Sequence, residues 1–214
     1  MTEVLRLSKA TPDEGEMSWA WEALISAAVN AVHFPGHGDE SGPLIIFPGS
    51  FNPLHEGHLQ MAAVASTRLD SPTRFEISVA NVDKATIDQA QALSRVRQFA
   101  GAHPVVLTRA PTFVEKATVF PDATFVVGVD TIARIADLRY YGGTAARDAA
   151  VSHIADAGCE FLVFGRRMTT APDQAPFHTL ADLSIPQQLA ALCHAVSEQD
   201  FRVDLSSTQL REAG

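Results

Sequence analysis

At 214 residues, 46% of them apolar, the chain can bury one sizeable core. Its formal net charge of −9 excludes an extended nucleic-acid surface, because phosphate backbones are held by clustered Lys and Arg. No stretch approaches the ~20 apolar residues that span a bilayer, and the opening MTEVLRLSKATPDEGE lacks the apolar run of a signal peptide. The expectation is a cytoplasmic protein with no membrane and no nucleic acid as partner. Its two cysteines, Cys159 and Cys193, lack metal-ligand spacing and read as reduced thiols.

Residues 1–43 read as an N-terminal helical extension. Within Glu14 to Val32, the residues Met17, Trp21, Leu24, Ile25 and Ala28 recur at helical spacing, with Trp19 off the stripe. His33 to Pro43, HFPGHGDESGP, reads as a loop. The piece is either an extra helix packed on the core or, with Trp19 as the hint, a lid or a homo-oligomer contact.

Residues 44–214 read as one domain in which strands and helices alternate. Leu44–Phe47, bounded by Pro43 and Pro48-Gly49, is a buried strand, and a helix bearing Leu59, Ala62 and Ala63 follows the turn. Phe75–Val79 alternates as a strand. Ile87–Ala100 is helical, with Leu93, Val96, Phe99 and Ala100 on one face. Val105–Leu107 and Thr124–Gly128 are the third and fourth strands. A helix over Ala145–Ala157 leads to a fifth strand, Glu160–Phe164. Gln187–Ser197 reads as a helix and Phe201–Leu205 as a last strand. Strands separated by helices imply βαβ units. The fold class is therefore α/β, a Rossmann-like parallel sheet with helices on both faces. Ligands of such sheets lie beyond the carboxyl ends of the strands.

The run Leu44–Leu59, LIIFPGSFNPLHEGHL, organises the rest. Strand, glycine turn and helix build an anion site, because a helix start offers unused N–H groups and the positive end of its dipole. Gly49 keeps a side chain out of the turn, and Gly57 does so in the first helical turn. His55 and His58, three apart, share a helix face. GSFNPLHEGHL resembles the signature of the nucleotidylyltransferase superfamily, in which an H-x-G-H element follows the first strand. Within it, the run is similar to that of the nicotinamide or nicotinate mononucleotide adenylyltransferases.

Further loops fit that resemblance. Gly128-Val129-Asp130 is similar to the element with which these adenylyltransferases hold the adenosine part of ATP. Asp204–Arg211, DLSSTQLR, resembles their I-S-S-T-x-L-R element. There Ser206, Ser207 and Thr208 can cap a helix and face phosphate oxygens, and Arg211 can supply a guanidinium. Lys84, in the loop after the second strand, is a phosphate candidate. Of Arg166 and Arg167, which follow the fifth strand, one can reach a phosphate; Arg167 is placed with the acceptor.

The resemblance implies that a phosphorylated acceptor attacks the α-phosphorus of a nucleoside triphosphate and that pyrophosphate leaves. The attacking oxygen is already anionic, so positioning and charge stabilisation carry the catalysis. His55, His58 and Arg211 are the implied catalytic residues. Gly49, Ser50, Phe51, Gly57, Gly128, Asp130 and Ser206–Thr208 complete the nucleotide site. Mg2+ is expected on phosphate oxygens and water rather than in a protein metal site. The acceptor region departs from the family pattern: no tryptophan follows Trp21, so Phe113, with Tyr140 or Tyr141, stands where an aromatic platform is expected. The alternatives are a cytidylyltransferase or other acceptor on the same fold, or a nucleotide-binding protein without turnover.

Overall fold

The computed structural model describes residues 3–37, 41–80, 86–167 and 177–201. In chain order the elements are β1 (Val4–Arg6), α1 (Glu14–Ile25), β2 (Ala31–Phe34), β3 (Ile45–Pro48), α2 (Glu56–Leu69), β4 (Thr73–Ser78), α3 (Gln89–Arg97) and β5 (Val105–Thr108). They continue as α4 (Phe113–Val119), β6 (Thr124–Gly128), α5 (Val129–Ala136), α6 (Thr144–Asp156), β7 (Glu160–Phe164), β8 (Arg166–Arg167), β9 (Phe177–His178), α7 (Gln187–Ala190) and β10 (Cys193–Ala195). No helix among the described residues is long and apolar enough to cross a membrane.

Among the described residues, eight strands form one sheet in the order β1-β2-β5-β4-β3-β6-β7-β10, with every pairing parallel except β2 against β5. The β8–β9 ribbon stands apart from it. Met17, Ala20 and Leu24 of α1, Ala62 and Ala65 of α2, and Ala92 and Val96 of α3 pack on one face. Ala117 of α4, Ile132 of α5, Val151 and Ile154 of α6 and Leu189 of α7 pack on the other. Helices on both faces of a largely parallel sheet give the expected Rossmann-like α/β fold. Chain order reverses at β3, whose neighbours are β4 on one side and β6 on the other. A crevice therefore opens beyond Pro48 and Gly128, at the point where such sheets hold ligands.

Two expected helices are corrected. The segment expected to stay helical to Val32 and then loop from His33 instead ends its helix at Ile25 and forms β2, buried at all four residues. Ala27 marks the break, at φ +65°, a conformation usually left to glycine or asparagine. Thus residues 1–43, read as a helical extension, also supply β1 and β2 to the central sheet. Their helix buries Met17, Ala20 and Leu24, while Trp19 and Ile25 are exposed. At the other edge, the helix expected over Gln187–Ser197 stops at Ala190, and Cys193–Ala195 forms β10 along β7. Only Phe201 of the expected last strand is described.

Candidate active site

The turn after β3 is fixed from α3. Gln98, at the end of that helix, donates to Phe51 O (2.8 Å) and accepts from Leu54 N (2.8 Å). Arg95 donates to Ser50 O (3.2 Å). Phe51 takes φ +43° and turns its ring inward, edge-on to Phe47, Phe75, Phe99 and His58. Two expectations change here. Phe51, expected on the nucleotide, is buried in the core and buttresses His58. Gly49 is required by that same ring: a Cβ at residue 49 would lie 2.5 Å from Phe51 Cζ. The Gly49 N–H itself is spent on Glu76 O (2.9 Å).

His55 is the N-cap of α2 and His58 lies one turn in. Their rings stack, with centroids 3.6 Å apart and planes 23° apart. His58 Nδ1 accepts the His55 backbone N–H (3.3 Å). A neutral imidazole has one donor and one acceptor, so this contact assigns the His58 proton to Nε2. Burial, reinforced by the charges of His55 and Arg166, pushes the His58 pKa down to about 3. Burial and then Arg166 lower that of His55. The pair is therefore neutral at physiological pH, and His58 keeps an N–H donor to offer an oxyanion. The helix start adds the N–H groups of Glu56 and Gly57, which have no acceptor within the helix.

These groups line a cavity of about 740 Å3 at the strand ends. Gly49, Ser50, His55, Gly57, His58, Gly128, Asp130 and Phe113 all line its wall. Phe113 opens α4, and its ring also meets Phe125 and Phe161 edge-on. Tyr140 and Tyr141 are further aromatic residues of the wall. Arg166, passed over in the sequence in favour of Arg167, lines the cavity and pairs with Asp130 (3.2 Å). Arg134 pairs with the same carboxylate (3.7 Å). Lys84, Ser206, Ser207, Thr208 and Arg211 lie outside the described residues. Phe201, where the described chain ends, packs edge-on against Phe164 at the cavity wall.

Sequence reasoning missed Arg95, Arg134 and a buried ion pair beside the cavity. Lys116 Nζ donates to Glu76 Oε2 (2.7 Å), Glu76 Oε1 (2.8 Å) and Ala110 O (2.7 Å), and Thr108 donates to Glu76 Oε1. Both partners of the pair are almost wholly buried. A signal existed: an interior strand of a two-sided sheet is ordinarily apolar throughout, and Glu76 interrupts β4.

Residues 46–213 match the family described as cytidylyltransferase-like. The chain belongs to this family. The match begins after β1, α1 and β2, so those elements precede the part shared with the cytidylyltransferase-like family. No curated protein matches the chain. Membership places the protein in the nucleotidyltransferase superfamily, and nucleotidyl transfer is the activity it supports.

Proposed function

We propose that the protein transfers a nucleotidyl group, adenylyl from ATP, to a phosphorylated acceptor such as nicotinamide or nicotinate mononucleotide, and releases pyrophosphate. The observation that carries this reading is the stacked His55–His58 pair at the start of α2, lining a cavity that also holds Arg95 and Arg166. An enzyme that stabilises charge developing on phosphate oxygens needs preorganised donors in a site largely closed to water. His58 Nε2 is such a donor. Arg95 and Arg166 bring charge to neutralise phosphates, and the free N–H groups of Glu56 and Gly57 add the helix dipole. The acceptor phosphate is already anionic, so the neutral histidines serve as donors and no base is required.

Phe113, at the cavity wall, is the proposed platform for the acceptor ring. Lys84 and Arg167 are the acceptor's proposed phosphate contacts. Ser206, Ser207, Thr208 and Arg211 are the proposed contacts of the β and γ phosphates, and Phe201 brings the chain to the cavity wall five residues before Ser206. Of the acidic side chains that line the cavity among the described residues, Glu76 is paired with Lys116 and Asp130 is engaged by two arginines. Among the described residues no group of three or more His, Cys, Asp or Glu could hold a metal ion. Mg2+ is the proposed companion of the triphosphate, where it would supply charge neutralisation at the phosphate oxygens.

The test is pyrophosphate release with Mg2+, each nucleoside triphosphate in turn and a panel of phosphorylated acceptors. ATP with either pyridine mononucleotide is expected to give the fastest release. Turnover with CTP and a different phosphorylated acceptor would move the protein to cytidylyl transfer. Nucleotide binding without pyrophosphate from any pair would leave a binding protein.

A further inference from the structure

Asp130 follows the glycine that ends β6, and the resemblance assigns it to the nucleoside. Its surroundings give it another task. The carboxylate folds back over Gly128 so closely that a Cβ there would lie 2.6 Å from Asp130 Oδ1. In that position it meets two guanidinium groups from different elements. Arg134 is one turn along α5, with Nη2 3.7 Å from Asp130 Oδ2 and 3.5 Å from Thr131 Oγ1. Arg166 arrives from β8, with Nη1 3.2 Å from Asp130 Oδ1. All three side chains line the cavity, and all three are partly exposed to it.

Two guanidinium groups repel each other and, on long side chains, would drift apart. One carboxylate between them gathers both and leaves a net charge of +1 at one spot. That spot shares the cavity wall with His55 and His58. We propose that Asp130 is a positioning residue: it clips Arg134 and Arg166 together as a subsite for the polyphosphate moiety of the substrate, and Gly128 is glycine to make room for the clip. The inference rests on the cavity being a triphosphate site. It differs from a ribose contact in a measurable sign. A carboxylate that touches only the nucleoside should, when neutralised, leave bare polyphosphate binding unchanged or improved, because a negative charge has gone. A carboxylate that organises two cations should, when neutralised, weaken it.

The experiment is calorimetric titration of the full chain with inorganic tripolyphosphate, and with ATP, at fixed ionic strength. The proteins are wild type, Asp130→Asn, Asp130→Glu, Arg166→Met and the double variant Asp130→Asn/Arg166→Met. Asp130→Asn is expected to weaken tripolyphosphate about tenfold, or about 1.4 kcal/mol, and Arg166→Met by a similar factor. The double variant should be no more than about twofold weaker than Arg166→Met, because the two changes remove one arrangement. Asp130→Glu, which restores the carboxylate, should recover part of the loss. Tripolyphosphate binding that is unchanged or tighter in Asp130→Asn, or losses that multiply in the double variant, would overturn the clip. ATP binding to wild type with no tripolyphosphate binding would overturn it too, and leave the nucleotide site intact. Binding of neither would overturn both the clip and the triphosphate reading. Asp130 is partly exposed, so these variants should keep the fold, and matching circular dichroism melts check that they do.

Discussion

Replacing Lys116 tests how the buried polar network beside the cavity is held. In Lys116→Met the thioether keeps most of the side-chain volume, but the ammonium and its three short contacts to Glu76 and Ala110 O are lost. Glu76, fully buried, is left with the Thr108 hydroxyl as its remaining side-chain partner among the described residues. Breaking one half of a buried pair typically costs about 3–5 kcal/mol, most of it the penalty of the stranded charge. For a chain of this size, each kcal/mol moves the melting temperature by about 2–4 °C, so a drop of about 6–20 °C is expected. The double variant Glu76→Gln/Lys116→Met carries no charge at either position and should recover most of that loss, with a coupling of about 2 kcal/mol or more. The assay is urea unfolding followed by far-ultraviolet circular dichroism, on wild type, both single variants and the double. A Lys116→Met protein within about 1 kcal/mol of wild type, or single losses that simply add, would refute the reasoning.

Other outcomes follow from the geometry of the turn and cavity. Because the folded His58 takes up a proton only near pH 3 while an unfolded histidine does so near 6.5, the unfolded chain binds more protons between those values. Stability should be full above pH 6.5 and fall toward pH 3, by at most about 1.4 kcal/mol per pH unit and by less where water enters the cavity; an acid slope unchanged in His58→Asn would count against the assigned neutral state. His58→Ala should lower kcat by about 100-fold or more with the fold retained, the effect of losing a transition-state donor, and undiminished turnover would remove His58 from the mechanism. Gly49→Ala should destabilise the protein, since the added Cβ strikes the Phe51 ring, and Gly49→Ala/Phe51→Leu should relieve part of the loss; thermal melts decide this. Phe113→Ala should raise KM for the acceptor more than for the triphosphate, and if only the triphosphate KM moved, Phe113 would belong with Phe125 and Phe161 in the core.

From residue 44 to Phe164 the amino-acid order alone places most elements within a few residues, because the signals are local. Thr124–Gly128 and Glu160–Phe164 are apolar runs with turn residues beside them, and both form strands over those bounds. The GSFNPLHEGHL run likewise carries its own strand, turn and helix start, and its two histidines do meet at the cavity. The helix over Phe113–Val119 is less legible, because its 7 residues hold too few turns for a periodic apolar face to show. What only the tertiary structure decided depends on partners distant in sequence. Ala31–Phe34 becomes a strand because β5 offers an edge to pair with, and Cys193–Ala195 because β7 does. Composition cannot tell a short apolar strand from the end of a helix. Phe51 looks like a ligand contact until Phe75 and Phe99 enclose it. Lys116 and Glu76 stand 40 residues apart, and only the packing of α4 over β4 makes them a pair. Asp130 reads as a nucleoside contact from its place after β6, and it meets a second arginine because the chain returns 36 residues later with Arg166 at its side. Periodicity and turn chemistry are written residue by residue. Ion pairs, strand neighbours and the direction a ring faces depend on which segments meet in space.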